Sequence, residues 1–203
     1  MAELLQVLYR QTMDYLQAGG AVMPPLVMVS LVMWLLILKR AFFFRRLYRR
    51  NMPFRTAREH VQEGRLPDRR QYSGAIALLV THFLQARSGE QILDRFILEE
   101  TVQRLNRSLM DHLQVIGVLA AVAPLLGLLG TVTGMIATFD IMAVFGTGNA
   151  KAMAGGISEA LITTQTGLLV AIPGLYMKGF LDRRARNLQQ RITAAGLFLR
   201  RHL

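Results

Sequence analysis

Three long apolar blocks, almost free of charge, decide what this chain can fold into. The first, AVMPPLVMVSLVMWLLIL at 21–38, has 18 residues and no charged side chain. With the AFFF that follows Lys39 and Arg40, it reaches the roughly 20 residues a helix needs to cross a hydrocarbon layer. The second runs from Leu113 to Phe139 and the third from Ile157 to Met177. Pro24 and Pro25 fall in the first turn of the first block, where a missing N–H costs least. Strong positive charge follows that block and no basic segment precedes it, so it reads as an uncleaved span. The expected fold is an all-α integral membrane protein with three transmembrane helices, spans two and three extending into long cytoplasmic helices.

Composition alone leaves a choice. Hydrophobic residues make up 52% of the chain and charged residues 18%, yet the net charge is +11. A basic nucleic-acid binder would interleave its charges with its core positions, whereas here the charges are excluded from the blocks. Of the 24 Lys and Arg residues, all but Arg10 and Lys151 lie after span one, before span two or after span three. That asymmetry predicts a periplasmic N-terminus and a cytoplasmic C-terminus in a multi-pass protein of the bacterial inner membrane. RRLYRR (45–50) and RRAR (183–186) stand just inside a span. They read as topology signals touching anionic lipids, and nucleic acid is not an expected partner. Cysteine is absent, which excludes disulfides and thiolate metal sites.

These signals divide the chain into an outer amphipathic helix (1–20), transmembrane helix 1 (21–44), a cytoplasmic helical region (45–112), transmembrane helix 2 (113–140), a periplasmic loop (141–156), transmembrane helix 3 (157–179) and a cytoplasmic C-terminal helix (180–203). In the first of these, Leu4, Leu5, Leu8, Thr12, Tyr15 and Leu16 fall near one helical face, and Gly19-Gly20 forms a hinge. AIALLVTHFLQA (75–86) is too short to span and reads as a buried helix. Ser88 is a candidate N-cap with Gln91 in the capping-box position. With no proline between Glu90 and Pro124, one unbroken helix is expected from there to about Phe139, with Leu93, Ile97, Val102, Leu105 and Leu109 along its cytoplasmic seam.

Polar groups inside the spans are where chemistry would reside. In span two, Gly127, Thr131, Gly134 and Thr138 share one helical face, and Gly130 with Gly134 forms a GxxxG pair. Taken alone, this stripe favours close packing, with each hydroxyl bonded to its own backbone. Span three carries Glu159, Thr163, Thr166 and Pro173 on one stripe and Ala160, Thr164, Gly167, Ala171 and Gly174 on the next. The second stripe reads as a packing face. Glu159 is the one acidic residue near the hydrocarbon, so it should face protein or water; it is the functional candidate, with anchoring at the outer interface as the alternative. Asp140 reads as interfacial, and His60, His82 and His112 as surface or seam residues. HExxH, GxSxG, Walker A and dinucleotide fingerprints are all missing, so neither an enzyme nor a cofactor is expected.

APLLGLLGTVTGMIATF (123–139) and GGISEALITTQTGLLVAIPG (155–174) resemble the signature spans of the ExbB/TolQ/MotA proton-channel family, most closely its ExbB and TolQ branches. Thr131 matches the Thr of GLxGTVxG, Glu159 and Thr164 the Glu and Thr of xxEALxxTxxGL, and Pro173 the Pro of AIP. The resemblance implies a homo-oligomer, a pentamer, whose lumen or subunit interface is lined by Thr131, Glu159 and Thr164. Thr163, Thr166, Gly127, Gly134, Thr138 and Pro173 are secondary lumen or packing positions. It further implies a dimeric, single-span ExbD-like partner supplying a membrane aspartate, and a TonB-like protein moved by proton flow. MotA relatives have four spans and a larger cytoplasmic domain; this chain has neither. An ExbB-like stator subunit is the expectation, with a TolQ-like subunit or a passive helical scaffold as alternatives. Glu159 and Thr164 stand about 140° apart on a helix, so they are expected to face different surfaces, Glu159 towards a neighbouring subunit and Thr164 towards Thr131.

Overall fold

The computed structural model describes residues 2–49, 51–68, 70–146 and 150–203. The order is α1 (Ala2–Ala18), a 3₁₀ turn (Gly20–Val22), α2 (Met23–Tyr48), α3 (Phe54–Glu63), α4 (Ala75–Ala86), α5 (Gln91–Met110), α6 (Leu113–Phe145) and α7 (Ala150–Arg200). The described residues contain no strand. Among the described residues, three helical stretches are long and apolar enough to cross a membrane: Gly20–Tyr48, Gln91–Phe145 and Met153–Arg200. The protein is therefore an all-α membrane protein. Proline does not interrupt the long helices, because α2 takes up Pro24 and Pro25 in its first turn while α6 and α7 run through Pro124 and Pro173.

The chain divides into two compact units, Met1–Leu36 with Val115–Lys178 and Ile37–Gln114 with Gly179–Leu203. The first has a core of Val22, Met23, Leu26 and Met33 with Ile116, Ala120, Ala123, Ala160 and Ala171. Most other large apolar side chains of this unit, Leu31, Leu125, Leu129, Ile136, Leu169 and Ile172 among them, point outward, as a lipid-facing surface does. The side chains of Leu4, Leu5 and Leu8, read as part of the amphipathic face of α1, lie outside the described residues, while Thr12, Tyr15 and Leu16 are exposed.

The second unit packs α3, α4 and α5 with the last turns of α2 and the C-terminal part of α7. As expected, α4 is buried, with Ile76, Leu79, Val80 and Phe83 in the core. Three expectations need correction. The helix from residue 91 is broken at Asp111–His112, where His112 takes the left-handed φ of 63°. The Arg40 guanidinium secures the break, donating from Nε to the Asp111 carbonyl and from Nη2 to the Ser108 carbonyl, each 2.6 Å. A cation on the last carbonyls of α5 replaces the hydrogen bonds that continuing the helix would have made.

The start of α5 is secured by Asp94 and not by a Ser88–Gln91 capping box. Asp94 Oδ1 accepts from Ser88 N, Ser88 Oγ and Gly89 N at 2.8–3.3 Å, and Oδ2 accepts from Arg87 Nε at 3.0 Å. A carboxylate outcompetes the neutral Gln91 amide for these donors. Burial pushes the Asp94 carboxyl up, but the Ser88 backbone, Arg87, the Ser88 hydroxyl and Gly89 outweigh it, so the group is held below its ordinary value. With Asp94 buried, the seam turns to Asp94, Leu98, Thr101 and Leu109, and Leu93 is left exposed.

The third correction is the connection between spans two and three. Both helices extend into the 141–156 stretch, α6 to Phe145 and α7 from Ala150, and Thr147, Gly148 and Asn149 lie outside the described residues. Contact between the two helices reaches Gly156, one residue before the third apolar block.

Candidate functional site

Spans two and three, α6 and α7, approach one another along a seam of small residues. A Cβ on Gly127 would stand 3.1 Å from the Thr163 carbonyl oxygen and from Thr164 Cα. One on Gly134 would stand 2.7 Å from the Gly156 carbonyl oxygen, and one on Gly167 the same distance from that of Ala123. Gly130 lies against the Thr163 side chain and Gly156 against the Thr138 hydroxyl. Without side chains at these points, backbone meets backbone, the usual basis of tight association where lipid removes the hydrophobic driving force.

This geometry sorts the hydroxyls. Thr138 and Thr163 are buried in the seam and donate to carbonyls of their own helices, Thr138 to Gly134 at 2.9 Å and Thr163 to Glu159 and Ala160 at 3.0 Å. Together with Gly127 and Gly134, they form the packing surface. Thr164 joins the helices, donating at 3.2 Å to the Gly127 carbonyl and at 3.1 Å to Ala160. Thr131 donates to its own Leu128 carbonyl at 2.6 Å and stays partly exposed. Thr164 therefore meets the Gly127 carbonyl, and the expected Thr131–Thr164 pairing is replaced by separate bonds. Even so, Thr131 is one turn beyond Gly127 on the same face, so it and Thr164 share one margin of the seam.

Glu159 faces the other way. A Cβ on Gly20, whose φ is +63°, would overlap the Glu159 carboxylate. Seven residues along α7, Thr166 Oγ1 pairs with the Tyr15 hydroxyl at 2.8 Å while also donating to the Ile162 carbonyl at 2.7 Å. Met33 of α2 packs where a Cβ on Gly174 would go. The N-terminal segment and span one thus cover the Glu159–Thr166 flank, and Pro173 is half-buried near the end of that stripe.

The opposite flank is open. At about 100° per residue, Thr164 and Gln165 stand about 140° and 120° from Glu159 on its two sides. Gln165 is exposed in the middle of span three among exposed Leu161, Leu168 and Ile172. Sequence reading passed over Gln165, although it is the one uncharged amide inside the third apolar block. Gly20 was read only as a hinge and Tyr15 only as part of an amphipathic face; neither has a local signal for its partner on α7.

A family model described as the MotA/TolQ/ExbB proton channel family matches residues 72–194, more than half of the chain and all of the seam. The chain belongs to this family. Relatives of this MotA/TolQ/ExbB chain include the ExbB-like 3 biopolymer transport protein of Synechocystis, 34% identical over 78% of this chain and 79% of the relative. Its ExbB-like 1 counterpart is 33% identical over 79% of this chain and 66% of its own length, just short of two thirds. The biopolymer transport protein ExbB of Aquifex aeolicus is 36% identical over 55% of this chain and 72% of the relative. The family is by its description one of proton channels, and its matched relatives are described as biopolymer transport proteins.

Proposed function

We propose that this chain is the ExbB-like subunit of a proton-driven motor, working as a ring of identical copies, a pentamer, in the bacterial inner membrane. The observation that supports this is the flank of α6 and α7 on which Thr131 and Thr164 are partly exposed and the Gln165 amide is exposed, within helices long and apolar enough to cross a membrane. An amide left unpaired in hydrocarbon costs several kcal/mol by order of magnitude, so this flank must meet protein or water. Neighbouring copies and a lumen containing the single-span, aspartate-bearing, ExbD-like partner satisfy it. Proton movement between that aspartate and the threonine-lined wall then drives the partner and a TonB-like protein, energising transport across the outer membrane. The charge asymmetry of the loops supports a periplasmic N-terminus and a cytoplasmic C-terminus.

The test is complementation of strains lacking either the TonB-linked or the Tol-linked energiser, with partner genes supplied. Restored siderophore or vitamin B12 uptake supports the reading; restored detergent tolerance alone assigns the chain to the TolQ-like role. Thr131→Val, Glu159→Ala and Thr164→Val should each abolish uptake while the ring still assembles by native mass spectrometry. Full uptake in all three would remove the channel role from these residues and leave a helical scaffold.

A further inference from the structure

We propose that the end of α2 carries a binding site for the phosphodiester headgroup of an anionic phospholipid, built from Arg45, Arg46, Arg49, Ser73 and Phe42. The argument is independent of the motor's output and of which leaflet this end of the helix reaches.

Phe42, Arg45, Arg46 and Arg49 follow the i, i+3, i+4, i+7 spacing that places them on one face of a helix. Arg49 keeps to the helical path past the end of α2, its N–H donating to the Arg45 carbonyl at 3.2 Å. With Ser73, these side chains line an open cavity of about 470 Å³, within the roughly 300–1,000 Å³ typical of small-ligand sites. A hydroxyl at Ser73 adds a donor suited to a phosphate oxygen.

Charge separates these three arginines from their neighbours. Arg40 is buried and committed to the Ser108 and Asp111 carbonyls. Arg184 and Arg191 lie over the Tyr48 ring. Arg45, Arg46 and Arg49 have no acidic partner among the described residues. Arg50, the last of the RRLYRR run, lies outside the described residues. Three unpaired guanidiniums converging on one cavity repel each other, and a phosphodiester, able to take bidentate hydrogen bonds from more than one, removes that repulsion.

Phe42 identifies the ligand as a lipid and not free phosphate. Phe42 is 66% exposed, one turn from Arg45 and Arg46 on the side of the apolar block. A ligand filling this site presents an anion to the arginines and hydrocarbon to Phe42, and it lies where the apolar run of the helix ends, at headgroup height.

The full chain with its partners, purified in mild detergent, is exposed to equal amounts of phosphatidylglycerol, phosphatidylethanolamine and phosphatidylcholine, and retained lipids are counted by native mass spectrometry. Phosphatidylglycerol should be held selectively, and Arg45→Gln/Arg46→Gln/Arg49→Gln should weaken it about a hundredfold. Because basic residues also set topology, Arg45→Lys/Arg46→Lys/Arg49→Lys keeps the charge and should still lose most of the selectivity. Arg183→Gln/Arg186→Gln should leave it intact. Equal retention by the lysine variant and the parent, or equal loss in the Arg183/Arg186 control, would reduce the site to diffuse charge and overturn the proposal. Displacement of the lipid by inorganic phosphate would overturn the assignment to a lipid headgroup.

Discussion

Gly155 and Gly156 are neighbours in α7, and the seam predicts opposite outcomes for the same substitution at each. Both are helical, so replacing either with alanine gains up to about 1 kcal/mol of helix propensity. At Gly155 an added Cβ meets nothing within 4 Å. At Gly156 it falls on the Thr138 hydroxyl and stands 2.7 Å from the Gly134 carbonyl oxygen, where ordinary contact begins near 3.4 Å. The helices must therefore part by about 0.7 Å, enough to lose a quarter to a half of each affected dispersion contact. Overpacking of this kind costs about 1–3 kcal/mol. Displacing the Thr138 hydroxyl from its 2.9 Å bond to Gly134 adds about 1 kcal/mol. Gly156→Ala should thus destabilise by about 1–3 kcal/mol net, while Gly155→Ala is neutral or stabilising. The gap between them, about 2–4 kcal/mol, is roughly a thirtyfold to several-hundredfold difference in the unfolding equilibrium. Unfolding in mixed micelles of rising SDS fraction, followed by far-UV circular dichroism, measures it. Coincident transitions for the two variants would refute the interlocked seam.

Two further outcomes follow from the second unit. Asp94, its carboxyl held below the ordinary value, adds stability that is fully present above the unfolded carboxylate pKa of about 3.9 and is lost as pH falls through the folded value. Asp94→Asn should lower thermal stability at pH 7 by about 1.5–3 kcal/mol and flatten the acid limb of a stability–pH profile; an unchanged acid limb would refute this. Arg40→Ala frees the Asp111 and Ser108 carbonyls, so hydrogen exchange across 105–114 should rise sharply. Arg40→Lys, lacking the guanidinium fork, should rescue only part of the protection.

What was legible in the sequence was whatever depends on composition and period. The spans follow from uncharged runs, and the α6–α7 seam from glycine and alanine at helical spacing. The break at Asp111–His112 was not legible, because no glycine or proline marks it; its cause is Arg40, 71 positions away from Asp111. Gln165 was missed for another reason: the motif drew attention to Glu159 and Thr164, and an amide shows its cost only once the lining of its face is known. The Ser88 cap failed because two local acceptors competed, and the charged one, Asp94, lies beyond the usual capping register.

Glu159 and Thr164 belong to one short motif, yet the helix places them on flanks with different neighbours, and their effects should therefore be separable. Glu159 depends on Gly20, because only a residue without a Cβ, at a φ of +63°, leaves room for the carboxylate. Thr164 depends on Gly127, whose carbonyl it meets across the seam. Gly20→Ala carries a left-handed backbone cost of about 1–2 kcal/mol and also an overlap with Glu159. Removing the carboxylate with Glu159→Ala relieves the overlap and leaves only the backbone cost. In a double-mutant cycle on stability, Gly20→Ala and Glu159→Ala should thus couple, the double variant losing less than the sum of the singles. Gly20→Ala and Thr164→Val, which share no partner, should add to within about 0.5 kcal/mol. Additivity in the first pair would mean that the N-terminal segment does not close on Glu159. Coupling in the second would mean that the two flanks of α7 act as one surface, and the division between a covered carboxylate and an open hydroxyl–amide margin would fall.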